Sequence, residues 1–355
     1  MKVERKKIYV GDVAIGGNAP VTVQTMTNTI TSDVESTVQQ ILLCEKYGLD
    51  LVRAAVNNEE DAKAIKEIKK RIHVPFIADI QYDYRLAMWA VENGADCIRI
   101  NPGNMNSKNG LKELVKALSE KNIPIRVGVN SGSISREIID RFHGVNVDSL
   151  VASAIEEVET LEDLNFTNMK VAIKSSDIYT SVAAYRKFYM LKEYPLHLGI
   201  TEAGPYEQGS IKSAIGLGIL LAEGIGNTIR VSLTDDPYKE VIAGKLILSS
   251  LNLHGKGINL ISCPTCARTN GEMIALVQEF LKRKPEIQSK LNIAIMGCHV
   301  NGPGEAREAD LGLAMTKQGA HLFRKGKKIQ SCSREEAVDI LIDAIIKLDG
   351  EKSGN

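Results

Sequence analysis

Two sets of side chains in this sequence have the types and spacing to do chemistry. The first is Cys263-Pro-Thr-Cys266, followed after a helical stretch by Cys298 in MGCHVNGPGE. A CxxC pair alone serves redox dithiols, zinc and iron–sulfur sites alike. A thioredoxin-type dithiol needs its CxxC to open a helix in a βαβ setting, and a third cysteine in a second strand-end turn argues for metal instead. Zinc would want a fourth soft ligand to close a tetrahedron. His299 adjoins Cys298, and sequence neighbours rarely both reach one ion; Cys332, in KIQSCSREEA, reads as a turn into a helix. Three thiolates with a weaker, exchangeable fourth ligand suit a catalytic [4Fe-4S] cluster, one iron of which must meet substrate. Glu305, in NGPGE, is well placed as that fourth ligand, and its glycine neighbours let backbone pass close to cluster sulfides.

The second set is cationic. Arg53, Arg99 with Asn101, Arg126 with Asn130, Lys174, His197, and Arg230 with Ser232 each punctuate a short apolar, β-rich run. Asp79 and Glu202 are the only obvious anions among them. Any one arginine could snorkel or find a carboxylate, but five cations sharing a pocket leave charge uncompensated at several kcal/mol each. The simplest missing anion is a ligand of high negative charge, and guanidinium forks suit phosphate or diphosphate oxygens. Lys174 has a second reading as a Schiff-base lysine, although an anionic ligand nearby would favour its charged form. Glu202, in ITEAGPYEQG, is a candidate proton donor or acceptor, or else a partner for Arg230 or Lys174.

These residues need elements to position them. Strands are expected at 21–26, 51–56, 76–80, 97–102, 125–130, 170–175, 196–201 and 228–233, alternating with amphipathic stretches such as DVESTVQQILLCEKYG and EEDAKAIKEIKKRI. Eight strand–helix units in this length fit a (β/α)8 TIM barrel, whose strand ends line its active site. No GxGxxG opens a helix, which counts against a doubly wound sheet. Strand periodicity of two puts the cations on one parity, facing the lumen. KKIYVGDVAIGGNAP reads as a hairpin turning at Gly11-Asp12 under the barrel. A barrel over 1–253 and a small α+β iron–sulfur domain over 258–355 follow, with LHGKGI as the linker. The second domain reads strand (INLISC), helix, strand (LNIAIMGC), long loop, hairpin (LGLAMTKQGAHLFRKGKKIQ) and helix, with Ser333 and Glu336 as a capping box.

Composition narrows the function classes. In 355 residues, 44 basic side chains balance 44 acidic ones, so no broad footprint for nucleic acid or an anionic membrane is expected. No signal peptide or stretch of about 20 apolar residues is present, which makes a cytoplasmic protein the expectation. Six cysteines are too few for a disulfide scaffold of this size.

SCPTCART, MGCHVNGPGE, IRINPGN, HLGITEAG and APVTVQTMTNT resemble the bacterial 4-hydroxy-3-methylbut-2-enyl diphosphate synthases of the non-mevalonate isoprenoid route, over nearly the whole chain. The resemblance implies a [4Fe-4S] cluster on Cys263, Cys266, Cys298 and Glu305. It implies 2-C-methyl-D-erythritol 2,4-cyclodiphosphate as substrate, its diphosphate held by Arg53, Arg99, Arg126, Lys174, Arg230 and Ser232, with Asn130 and Glu202 facing the carbon skeleton. The reaction it implies is a two-electron reductive ring opening and dehydration to (E)-4-hydroxy-3-methylbut-2-enyl diphosphate, supplied by flavodoxin or ferredoxin. Glu202 would donate the proton to the leaving hydroxyl and Glu305 would open a coordination position. It further implies the short two-domain form, pairing head to tail as a homodimer whose active site is shared between chains. Gln81 stands where many relatives carry histidine, so no catalytic role is assigned there. Two other classes stay open on the residues alone: a barrel phosphosugar lyase or isomerase with zinc stapling its C-terminal domain, and an iron–sulfur sensor or electron carrier without catalysis.

Overall fold

A computed structural model describes residues 5–253, 256–298 and 308–354. The chain divides into two compact units, Met1–Leu251 and Asn252–Asn355.

The first unit opens with a hairpin, β1 (Ile8–Val10) and β2 (Val13–Ile15), turning at Gly11-Asp12. Its Ile8, Val10 and Ile15 bury against Leu51, Ile77 and Cys97, residues at the starts of three barrel strands, so the hairpin plugs the barrel's bottom. Eight parallel strands follow: β3 (Thr22–Met26), β4 (Leu51–Ala55), β5 (Phe76–Asp79), β6 (Cys97–Ile100), β7 (Ile125–Asn130), β8 (Met169–Lys174), β9 (His197–Leu198) and β10 (Thr228–Ile229). They pair in the order β8-β7-β6-β5-β4-β3-β10-β9, and a parallel bridge from Val171 to Leu196 joins the two ends into a ring. Around them run α1 (Val34–Lys46), α2 (Glu59–Lys69), α3 (Tyr84–Glu92), α4 (Lys108–Lys121), α5 (Arg136–Arg141), α6 (Val147–Glu162), α7 (Ile178–Leu191), α8 (Tyr206–Ala222) and α9 (Pro237–Ser250). Most start where a short polar side chain caps the first turn: Asp33, Asn58, Asp83, Ser107, Asn146 and Asp177 each accept from a backbone N–H two or three residues on.

The strands β9 and β10 are shorter than the six-residue runs expected of them. Past Leu198 the ladder opens around a cation: a Cβ on Gly199 would lie 2.7 Å from the Lys174 Nζ. The Arg230 N–H still reaches the Leu198 carbonyl at 3.0 Å, so the strand direction persists without regular pairing.

The second unit is a five-stranded sheet, β11 (Gly257–Ser262), β12 (Lys290–Met296), β13 (Leu311–Met315), β14 (Ala320–Arg324) and β15 (Lys327–Cys332), paired in chain order. The first three are parallel and the last three a meander. Where a hairpin was expected there are three strands, because Lys325-Gly326, both left-handed, make a tight turn that returns KKIQSC to the sheet. The helices α10 (Met273–Arg283) and α11 (Ala337–Ser353) bury Met273, Phe280, Leu341 and Ile345 with Leu291, Ile293, Ile295, Leu311 and Leu313. Just before α11, Ser333 and Glu336 exchange the reciprocal bonds of a capping box. No helix among the described residues is long and apolar enough to cross a membrane.

Candidate functional site

Inward parity in the barrel is set by the register. Asp79, Arg99, Arg126 and Lys170 are successive partners across β5, β6, β7 and β8, one continuous row around the lumen. Asn130 pairs with Lys174 in the same way, and Met26 with Arg53. Arg53, Arg99, Arg126 and Lys174, all named from the sequence, are buried together at this end; Arg230 is half-buried beside them. Two glycines make space for them. A Cβ on Gly128 would sit 2.8 Å from the Arg99 Nε, and Gly199 clears Lys174.

The anions are fewer. Arg99 donates from Nη1 to Asp79 Oδ1 at 3.1 Å and from Nη2 to the Gly128 carbonyl at 3.2 Å; Arg53 Nε lies 3.6 Å from Asp79 Oδ2. Burial alone would raise the Asp79 pKa, but the guanidiniums of Arg53, Arg99 and Arg126 outweigh it and hold the carboxyl below its ordinary range. Arg230 is gripped by Glu240 on α9, Nε to Oε2 and Nη2 to Oε1, both at 3.0 Å. Glu202, the carboxylate expected to be its partner if it had one, is instead exposed, in left-handed backbone at φ 53. Arg126 is the extreme case: 2 % exposed, with Nε and Nη1 lacking any hydrogen-bond partner. Burial and then repulsion from Arg53 and Arg99 push its proton affinity well down. Lys174 is pushed down likewise by burial, then by Arg126 and Arg230. Such a pocket holds unrelieved positive potential that a bound polyanion would relieve.

His197 is wholly buried, its Nδ1 bonded to Thr228 Oγ1 and its Nε2 unpartnered; burial keeps it neutral. Asn130 ends β7, where the Ser133 hydroxyl holds its backbone N–H and carbonyl, and Ser232 is half-buried just past β10. Lys170 and Glu240 were missed by the sequence reading. Both carried a signal: Lys170 shares Lys174's parity four residues earlier, and Glu240 interrupts the buried face of α9 formed by Pro237, Val241, Gly244 and Leu248.

In the second unit the three named cysteines follow the C-terminal ends of the adjacent strands β11 and β12. The Cys263 N–H donates to the Ile295 carbonyl at 3.0 Å, extending the β11–β12 pairing, and Cys298 follows the end of β12 by two residues. The loop carrying Cys266 returns to that strand end, where the Asn270 N–H meets the Gly297 carbonyl at 2.7 Å. Gly297 permits this approach, since a Cβ there would sit 3.0 Å from both Met273 and Thr269 side chains. No disulfide engages any of the six cysteines. Cys298 is buried, Cys263 half-buried and Cys266 exposed. Cys332 stands apart: β13 and β14 separate it from β12, about 14 Å at the usual strand spacing. Among the described residues no three His, Cys, Asp or Glu side chains converge to hold a metal ion, and Glu305 lies outside them. The donor chemistry nonetheless fits an iron–sulfur group: three thiols, past the ends of two adjacent strands, in glycine-flanked loops.

Fold and site together define a (β/α)8-barrel enzyme for an anionic small molecule, with a thiol-bearing second domain. The chain belongs to the GcpE family: the GcpE TIM-barrel domain matches residues 5–245 and the GcpE protein C-terminal domain residues 259–347. It is 49% identical over 342 residues to a protein of Clostridium perfringens named 4-hydroxy-3-methylbut-2-en-1-yl diphosphate synthase (flavodoxin), covering 96% of this chain and 98% of that one. A protein of the same name from Caldanaerobacter subterraneus subsp. tengcongensis is 48% identical over 348 residues, with 98% of each chain covered. Among solved structures, dihydropteroate synthase from Xanthomonas albilineans superposes with a TM-score of 0.50 at 13% identity, over 69% of this chain and 97% of that one. N-acetylneuraminic acid synthetase from Leptospira borgpetersenii gives 0.50 at 14%, over 80% and 98%. At such identities these last two speak to the fold alone.

Proposed function

We propose that this chain is an oxidoreductase that opens 2-C-methyl-D-erythritol 2,4-cyclodiphosphate reductively, loses water and releases (E)-4-hydroxy-3-methylbut-2-enyl diphosphate. Family membership across both units supports the activity, and reduced flavodoxin is the electron donor that the relatives' name carries. The observation that carries the substrate class is the barrel lumen. Five buried cations, Arg53, Arg99, Arg126, Lys170 and Lys174, have Asp79 as their buried carboxylate, and Arg230 has Glu240.

The barrel unit is the substrate domain in this reading. Arg53, Arg99, Arg126, Lys174 and Arg230, with Ser232, hold the diphosphate. Their fixed charges stabilise the oxyanion that phosphate becomes when its bond to carbon breaks, without reorganising at that moment. Asn130 faces the carbon skeleton. Glu202 donates the proton with which the departing hydroxyl leaves as water. Its left-handed backbone, uncommon for a non-glycine residue, is of the kind that accumulates at functional sites. The second unit is the cluster domain: Cys263, Cys266, Cys298 and Glu305 hold a [4Fe-4S] group. When bound, that group supplies single-electron transfer, so that two electrons enter for each ring opened. The resemblance also supports a homodimer in which the cluster domain of one chain completes the barrel site of its partner, in the cytoplasm.

The test is turnover by protein purified and reconstituted without oxygen. About four irons and four sulfides per chain with brown absorbance, and formation of the butenyl diphosphate under reduced flavodoxin, are expected. A colourless protein with one zinc per chain and no product would overturn the reading in favour of a zinc-stapled barrel lyase.

A further inference from the structure

We infer that Glu240 is a positioning residue for the substrate diphosphate, acting through Arg230; the inference rests on the reading of the lumen as a diphosphate site. Glu240 stands in the first turn of α9, 2 % exposed, on the helix face turned to the barrel. Its carboxylate accepts four hydrogen bonds from three residues on two separate segments. Thr25 Oγ1 of β3 donates at 2.6 Å, the Leu233 N–H beyond β10 at 3.0 Å, and Arg230 Nε and Nη2 at 3.0 Å each. A carboxylate so saturated has no spare capacity to act on substrate. What it does is choose which edge of Arg230 faces the pocket.

A guanidinium has two edges that can grip an anion in bidentate fashion, and Glu240 takes the Nε/Nη2 edge. The remaining Nη1 corner lies 3.7 Å from the Met26 Sδ. Arg53 approaches the same sulfur from the other side, its Nη2 at 2.9 Å, with its Nε beside Asp79. Arg230 is thus anchored by a carboxylate along one edge, Arg53 has Asp79 near its Nε, and one nitrogen of each meets the same thioether. An anion resting above Met26 would be held between them, end-on from Arg230. Without Glu240 the Nε/Nη2 edge of Arg230 loses its partner and the side chain is free to turn away from that point.

Charge and geometry then predict opposite outcomes. Removing a carboxylate raises the positive potential of the lumen, which by itself tightens anion binding. Losing the anchor loosens it. Calorimetric titration of the full chain with inorganic diphosphate separates the two, and needs neither cluster nor electron donor. Glu240→Gln is expected to weaken diphosphate binding about tenfold to a hundredfold. Glu240→Asp should recover part of the loss. Arg230→Met should weaken binding at least as much, and Glu240→Gln added to Arg230→Met should cost no further affinity, since only the charge effect, which favours binding, is then left. Unchanged or tighter binding by Glu240→Gln, or additive losses in the double variant, would overturn the inference. Should Glu240→Gln fail to fold, Thr25→Val removes one anchor of the carboxylate and is expected to weaken binding about two- to fivefold, again only while Arg230 is present; no change there overturns it too. A wild-type chain that binds diphosphate yet never converts the cyclodiphosphate sinks the proposed reaction and leaves the Glu240 result standing.

Discussion

The barrel and the C-terminal unit reach readiness by different routes. In the barrel, β-strand register alone brings Asp79, Arg99, Arg126 and Lys170 into one row, and buried carboxylates orient two of the arginines nearby. The site exists before any ligand arrives, at the cost of a guanidinium, that of Arg126, buried with two unpartnered nitrogens. In the second unit the sheet delivers Cys263 and Cys298 only as far as the ends of adjacent strands, and Cys266 sits exposed on a loop. There, packing among the described residues leaves the three thiols short of a common point, and the proposed cofactor would draw them together. One site is preorganised by packing and the other by its ligand. Variants should therefore separate the two cleanly.

The largest effect should come from the proposed cofactor ligands. Cys298→Ser is expected to abolish turnover, by at least about a thousandfold, and to lower iron and sulfide per chain, while inorganic diphosphate still binds the barrel as before. Iron analysis beside calorimetry checks both halves. A Cys298→Ser protein with a full cluster would remove Cys298 from the ligand set; one that had lost diphosphate binding as well would show that the two sites are not independent. Chelation of the cofactor should likewise lower the unfolding temperature of the second unit and spare that of the barrel, visible as two transitions in a calorimetric scan.

Next in size is Glu202→Gln. Loss of a general acid costs about a hundredfold to ten-thousandfold in kcat, and because the side chain is exposed and forms no hydrogen bond or ion pair with the arginine row, KM should move little. Equal losses in kcat and in affinity would place Glu202 in the binding cradle instead. Arg126→Met tests the cradle itself and should do the reverse, raising KM for the cyclodiphosphate about tenfold to a hundredfold with cluster content unchanged. An Arg126→Met variant of ordinary KM would mean the unpartnered guanidinium faces no ligand.

The same contrast explains what could be read from the sequence. Barrel strands announce themselves because apolar, β-branched runs recur between amphipathic helices, and the two-residue period assigns Arg53, Arg99 and Arg126 to one face without any knowledge of their partners. Cysteine spacing is equally plain, since CxxC and a third cysteine are rare by chance. Partners are another matter. Glu240 meets Arg230 only after a turn of α9 folds back over β3 and β10, and nothing local to either residue says so. Glu202, closer to the end of a lumen strand, was the more obvious candidate and is not the partner. The truncation of β9 and β10 was hidden for a similar reason: the space beside Gly199 is filled by Lys174 from a neighbouring strand. Periodicity is local and reads directly; ion pairing is tertiary and does not.

Lys170 carries the comparison to its smallest and most specific consequence. It ends the charged row at β8, fully buried, with its Nζ unpartnered. Burial pushes its ammonium down from the ordinary lysine value to about 8; Cys97 beside it acts the other way, and lesser repulsion from Arg126 and Arg53 adds to the burial. An unfolded chain keeps that proton up to about pH 10.4. Between pH 8 and that value the unfolded state therefore binds more protons than the folded one, and the contribution of this residue to stability rises with pH; below about pH 8 its full penalty is present. Lys170→Met, of similar length, should raise the barrel's unfolding temperature by several degrees at pH 7 and flatten the gain that the wild type shows from pH 8 to 10. The difference between the two proteins isolates Lys170 from Lys174 and Cys97, which titrate in both. Were the variant less stable at pH 7, with no difference in slope, the ammonium would have to be neutralised where it lies. Lys170 would then be a packed structural element of the row, and the uncompensated charge would rest on Arg126 and Lys174, residues proposed to hold the diphosphate.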